Sequence, residues 1–214
     1  MTIYFKDQAF YDCDTPEQAP EGARPISPEQ HAELLAALNS GCIVSDDLTV
    51  SPPRPSEYHE WDGKKWKISK ADAARLKAEQ QDEVWEQIKA KRYDNRRHGV
   101  YAKSVGKWFQ TDDATRLQYL ALSLESVTGG FKKPINWKTM DNSFLQLTPE
   151  LLREIMQTMH DDEQADFANA ERHKAAMLKA ENPLEYDYSG GWTANFNEQP
   201  AAELEGAAKS VSKM

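Results

Sequence analysis

The residue types that most readily do chemistry fall in a few places along the chain. His160-Asp161-Asp162-Glu163 offers metal ligands or an acid–base set. The surrounding composition is helical, and successive helical residues point about 100° apart. His160 therefore shares a face with Gln164, and Asp162 shares one with Asp166. No His-x-x-x-His pair is present here, and His173 lies far along the same stretch. A solvated helix face is the reading, and no metal site is expected. Cys13 and His31 are a nucleophile–base candidate, but Asp12 and Asp14 flank the thiol and disfavour thiolate. No glycine-rich nucleophile turn accompanies them. Cys42 precedes Ile43 and Val44 and reads as a small buried residue. Gly129-Gly130 follows a helical segment and lacks the Gly-Lys-Ser/Thr ending of a phosphate loop, so it reads as a helix stop. An enzyme acting on cell-surface sugars would need paired carboxylates, one of them with a raised pKa. No such pair is identifiable, so the expectation is a non-enzyme with no catalytic residue, metal or cofactor.

Binding chemistry is better represented. Lys89-Ala90-Lys91-Arg92-Tyr93-Asp94-Asn95-Arg96-Arg97 carries five positive residues against a single Asp. Its position at the end of a helical segment suits the helix dipole, and it also offers a docking surface for an acidic protein patch. The chain as a whole carries a net charge of −9, which argues against nucleic acid or an anionic membrane as partner. Trp108 and Trp137 read as core residues. Trp61 and Trp66 lie outside the expected cores and are candidate interface anchors, because aromatics dominate hot spots. The candidate partner-binding set is Trp61, Trp66, Trp85, Arg92, Arg96 and Arg97.

These residues need elements to position them. Charged residues make up 29% of the chain and the mean hydropathy is −0.78, too polar for one large core. Aromatics at 10% are too frequent for a disordered chain. Small domains joined by exposed helix and linker are expected. No stretch approaches the apolar length of a membrane helix, and Lys6 and Asp7 interrupt any secretory signal. The two cysteines read as free thiols.

Residues 1–10 suggest a hairpin turning at Lys6–Gln8. Residues 14–25 read as loop. Ser27, Pro28 and Gln30 spell a capping box for a helix over 28–39 that buries Leu34, Leu35 and Leu38. Cys42–Val44 and Leu48–Val50 read as strands. The Pro-rich run 51–56 is a stiff linker. Asp62-Gly63 between aromatics predicts a hairpin. Residues 70–95 read as a spacer helix with thin apolar positions, namely Ala73, Leu76, Val84, Trp85 and Ile88. Hairpins follow around Gly106 and Asp141-Asn142. A helix over about 112–126, capped by Thr111-Asp112-Asp113, is expected to bury Leu117, Leu120, Ala121 and Leu124. A long helix from Pro149 to about Lys179 carries Leu152, Ile155, Met156, Met159 and Phe167 on one stripe. The expected fold class is α+β. Its parts are a small N-terminal β-α-β module (1–51), a linker and Trp hairpin (52–69), a spacer helix (70–95), a helix-rich C-terminal domain with short hairpins (96–188) and a flexible tail (189–214).

The first fifty residues resemble the N-terminal region of phage and prophage tail-fibre assembly proteins. The resemblance rests on Ile3-Tyr4-Phe5, Phe10-Tyr11-Asp12, Ala23-Arg24-Pro25-Ile26-Ser27, His31, Leu34-Leu35, Gly41, Ile43-Val44 and Pro52-Pro53. Trp61-Asp62-Gly63-Lys64-Lys65-Trp66 is similar to a Trp hairpin found downstream in that family. The second half is similar to a domain of unknown function in phage and prophage proteins, through Arg92, Gly99-Val100, Gly106–Phe109, Thr111-Asp112, Arg116, Asn136–Thr139 and Leu147–Glu150. The resemblance implies a chaperone that binds the distal, C-terminal part of a tail fibre in the bacterial host cytoplasm and helps it trimerise. The alternative is a structural virion protein retained at the fibre tip or baseplate. The implied partner is the fibre protein, with a homo-oligomer or a fibre-bound complex as the assembled form.

Overall fold

A computed structural model describes residues 1–198. The fold is α+β, with four helices and small antiparallel sheets among the described residues. The chain divides into two compact units at Ala78/Glu79.

In the N-terminal unit, strands β1 (Thr2–Lys6) and β2 (Ala9–Cys13) form a hairpin through Asp7 and Gln8, both in the left-handed region. The order of the sheet is β2-β1-β3, with β3 (Arg24–Ile26) pairing antiparallel to β1. Most of this third strand falls in the expected loop 14–25, a segment rich in Pro, Asp, Glu and Gly, and Pro25 removes a ladder donor. An edge strand tolerates that loss. Helix α1 (Pro28–Asn39) starts as expected: Ser27 Oγ accepts from Gln30 N at 3.2 Å, and Gln30 Oε1 accepts from Ser27 N at 3.0 Å. Ser27→Ala should lower the stability of this unit by about 1 kcal/mol. A denaturation midpoint unchanged by the substitution would count against the box.

Phe5, Ile26, Leu34 and Val44 form the core, flanked by Ile3, Phe10, Leu38 and Leu48. Leu35, expected inside, is 41% exposed. The two strands expected after α1 reduce to one bridge, Val44↔Val50. Two backbone bonds flank the bridge, Ser45 N donating to Thr49 O and Ser51 N to Ile43 O, and side chains satisfy other backbone groups there. The Gln8 amide brackets Val44, donating to its carbonyl at 2.5 Å and accepting from its N–H at 2.9 Å. Ser51 Oγ accepts from Ile43 N. The module is therefore β-β-β-α, not β-α-β. Strands β4 (His59–Trp61) and β5 (Trp66–Ile68) form the expected Trp hairpin.

Helix α2 (Lys70–Asn95) crosses the boundary between the units. It is not a bare spacer. Val84 and Ile88 pack with Ala170 and Met177 and are nearly solvent-free, so the C-terminal unit begins inside this helix and not at residue 96. Then come β6 (Val100–Ala102), β7 (Lys107–Phe109), α3 (Asp113–Thr128), β8 (Ile135–Lys138), β9 (Phe144–Leu147) and α4 (Pro149–Met177). Asp112 caps α3 by accepting from Thr115 N at 3.0 Å, and Gly129 ends it at φ +82°. Thr148 caps α4. The second core joins Val100, Ala102, Phe109, Tyr119, Leu147, Leu151, Leu152 and Ile155. Trp137 packs against it as expected, whereas Trp108, also expected in the core, stands half-buried outside this cluster, beside the rings of Tyr101 (5.4 Å) and Phe196 (6.2 Å).

Three expectations fail in this unit. Leu117, Leu120 and Leu124 are 68%, 59% and 66% exposed, and Ala121 is exposed too. Helix α3 turns Tyr119 and Leu122 inward instead, because the Tyr119 ring fills the space beside Trp137, with centroids 5.2 Å apart. Phe167 is 51% exposed and lies under the Arg92 guanidinium. The expected flexible tail also starts too early. Residues 189–198 are described and tied in, with Asn195 only 3% exposed and Trp192 packed on the α2–α4 cluster. The remainder of that expected tail, 199–214, lies outside the described residues.

Candidate functional site

The Trp hairpin owes its shape to Asp62. One carboxylate oxygen accepts from Lys64 N (2.9 Å) and Lys65 N (2.8 Å), while the other meets Lys67 Nζ at 2.7 Å. The Lys67 ammonium and the two amides hold the Asp62 carboxyl far below the usual carboxylate range. Gly63 takes φ +93°, which a tight aromatic hairpin needs here. Trp61 and Trp66 are cross-strand partners and pack edge to face, with centroids 5.3 Å apart. Trp66 Nε1 donates to Pro52 O at 2.8 Å, and Arg54 lies over its ring at 6.0 Å. Both indoles stay half-buried. They form one wall of a groove of 420 Å³ whose other lining includes Cys42, Ile43, Arg54 and His59. Arg54 is itself fixed by donating to His59 O and Glu57 O, so the groove is framed by the Pro-rich segment.

The other four candidate residues belong to the C-terminal unit. Trp85 is partly buried against the Val84–Ile88–Ala170–Met177 cluster, with Lys174 Nζ 4.5 Å from its ring centre. Its ring serves that unit's own packing. Arg92 covers Phe167 at 4.9 Å. Arg96 pairs with Asp113 at 3.0 Å and lines a 250 Å³ cleft together with Arg92 and Phe167. Arg97 is exposed beside the Tyr93 ring. The structure thus brings Arg92 and Arg96 together, and it ties Trp61 to Trp66.

The acidic run behaves less uniformly than a solvated face. Asp162, Asp161, Glu154 and Thr158 form the α4 wall of a 650 Å³ cleft opposite Tyr101, Lys103 and Trp108 of the β6–β7 hairpin. Glu154 is occupied by the Ser104 N–H and hydroxyl. Asp162 is half-buried, and its carboxyl is pushed up to about 6, first by burial and then by the charges of Asp166 and Asp161. A carboxyl raised in the folded state weighs against folding when charged. That cost is full above the folded pKa and vanishes below the unfolded one. Asp162→Asn should therefore stabilise the protein by about 1 kcal/mol at pH 7.5, after allowance for solvent screening. The gain should fade as the pH drops from 6 to below 3.8. A gain that persists at pH 3.5 would contradict this.

A buried polar network in this unit has no counterpart among the sequence motifs. Asp166 is 2% exposed and accepts from Asn95 Nδ2 (2.6 Å), Thr193 N (2.8 Å) and Thr193 Oγ1 (3.0 Å). Asn95 Oδ1 in turn accepts from Asn195 Nδ2 at 2.7 Å. The network ties the end of α2, the middle of α4 and the C-terminal segment together. Nothing in local spacing marks these four residues, since their partners lie 27 to 100 positions apart. Sequence reasoning also mislaid the exposed face of α3, whose 3-4-3 spacing of Leu117, Leu120, Leu124 and Val127 is plain in the chain.

Among the described residues, no group of three His, Cys, Asp or Glu side chains is placed to hold a metal, and no helix is long and apolar enough to cross a membrane. A family model described as "Domain of unknown function (DUF4376)" matches residues 79–190, more than half of the chain. That span opens where the C-terminal unit does. No curated protein and no solved structure matches the chain.

Proposed function

This chain belongs to the DUF4376 family, a domain of unknown function, and from that premise we propose that it works by binding another protein. The proposed role is an assembly chaperone for the C-terminal region of a phage tail fibre, acting in the bacterial host cytoplasm without covalent chemistry. The observation that carries the reading is the groove walled by Trp61 and Trp66. Two indoles held by a rigid turn, half-open to solvent, suit an apolar anchor from a client and give up little conformational freedom on binding. Further support comes from Ile3, Phe5, Phe10 and Leu34 of the tail-fibre-assembly resemblance, which share one core, and from His31, which packs edge-on to Phe10 at 4.4 Å.

The chaperone would shield apolar surface on an immature fibre chain and favour the trimer by mass action on the bound state. Co-expression with a tail-fibre gene from the same genome tests it. The expected result is co-purification and a higher yield of trimer. A fibre that trimerises equally well alone and never co-purifies would sink the reading. Mass spectrometry of purified particles then separates a chaperone that leaves from a component that stays.

A further inference from the structure

Helix α3 carries a solvent-facing stripe at heptad spacing. Leu117, Leu120, Leu124 and Val127 are 68%, 59%, 66% and 86% exposed. Intervals of three, four and three residues place all four on one ridge, the pattern that two paired helices share. Exposed Ala114 and Ala121 lie on the same side and leave room for a second backbone. The four large side chains expose roughly 500 Å², at the upper end for the largest apolar patch on an ordinary monomer.

The charges around the stripe select its occupant. Arg116, at one margin, is turned inward, donating to Thr111 O, Arg96 O and Glu163. Acidic Asp112 and Asp113 stand at the start of the helix, Asp112 as its cap and Asp113, still 53% exposed, paired on one side with Arg96. Exposed Lys132 and Lys133 follow its end, with no ion pair among the described residues. The stripe is centred near residue 122. An antiparallel copy about that centre sets Leu117 against Val127 and Leu120 against Leu124. The same rotation brings Asp112 and Asp113 of one copy to Lys132 and Lys133 of the other, and Glu125 beside Gln118. A parallel copy would set acid against acid and lysine against lysine. Antiparallel pairing also opposes the two helix dipoles.

We propose that α3 is the seam of a two-fold symmetric homodimer, formed by antiparallel packing of this helix on its copy in a second chain. Such an interface is isologous and closes on itself. Doubling the exposed stripe gives roughly 1,000 Å² of buried surface, the lower bound for a specific interface, so the dimer is reversible and depends on concentration. It carries two Trp grooves, yet it stands independently of the chaperone reading, because its test needs no client.

Sedimentation of the purified full chain should show a mass twice 24.3 kDa at high concentration, falling to the monomer on dilution. Leu120→Asp and Leu124→Asp should each weaken association about 100-fold. Their circular dichroism should be unchanged, because both side chains face solvent in the monomer. Replacing Lys132 and Lys133 together by Glu should weaken it about 10-fold at low salt, with the difference vanishing at high salt. In a mixture of Leu120→Cys and Leu124→Cys chains, the mixed disulfide should outnumber either same-variant one. A chain that stays monomeric up to roughly 1 mM overturns the dimer. So does a dimer indifferent to Leu120→Asp, which would place the seam elsewhere. Dominant same-variant disulfides overturn the antiparallel arrangement. If the chain alone is monomeric but Leu120→Asp abolishes co-purification with the fibre, the stripe belongs to the client and the homodimer is rejected.

Discussion

Asp166→Ala should lower the stability of the C-terminal unit by about 3–4 kcal/mol. The carboxylate is almost fully buried and is the acceptor for three donors on two other segments. Removing it leaves the Thr193 N–H and hydroxyl without their acceptor and leaves the Asn95 amide only its longer bonds to Thr193 O and Oγ1, and each unsatisfied buried donor costs about 1–3 kcal/mol. The loss should exceed that of an exposed acid such as Asp161. Asp166→Asn should fall between, since one oxygen still accepts while the new amide NH2 confronts a donor. Chemical denaturation of the full chain, followed through Trp192 and its neighbours, measures the effect. A change below about 1 kcal/mol for the alanine variant would mean that desolvation of the carboxylate cancels its hydrogen bonds. The substitution also removes one of the charges that raise Asp162, so the pH dependence of Asp162→Asn should shrink in the Asp166→Ala background.

Replacing Trp61 and Trp66 together by Ala should weaken client association by at least about 3 kcal/mol, more than 100-fold in Kd, if the groove is the docking site. Each indole supplies a large rigid surface, and the pair forms one continuous wall. Trp66→Ala alone should cost more than Trp61→Ala. It also releases the hydrogen bond to Pro52 O and the Arg54 contact that shape the groove. Trp61→Phe should retain most of the affinity, because a ring still packs on Trp66. The turn itself should survive, since Asp62 and its two amide bonds are untouched. Titration of the fibre's C-terminal region against each variant reads the effect. Unchanged binding by the double variant, with the hairpin intact by amide exchange, would remove the groove from the proposed function.

The expected element boundaries match where local chemistry decides them. Ser27, Asp112 and Thr148 cap their helices, Gly129 stops one, and the Asp62-Gly63 turn folds as read. Errors arise where a segment has two plausible faces or a distant partner. Helix α3 has aliphatic residues on both sides, and the ring of Tyr119, not the denser leucine stripe, turned inward. Residues 42–50 are apolar enough for strands, yet the Gln8 amide took the place of a neighbouring strand. The candidate site was legible only in part. The pairing of Trp61 with Trp66 follows from the turn between them, whereas the packing of Trp85 on the C-terminal unit's own cluster depends on α4 residues far away in the chain.

By itself, the sequence determined the helices, their caps and the hairpins, because those depend on residues a few positions apart. Tertiary structure alone decided where the C-terminal unit begins, which face of α3 is covered, and how Asn95, Asp166, Thr193 and Asn195 hydrogen-bond to one another. Burial and buried hydrogen bonds are properties of what lies opposite in space, and no short-range pattern encodes that.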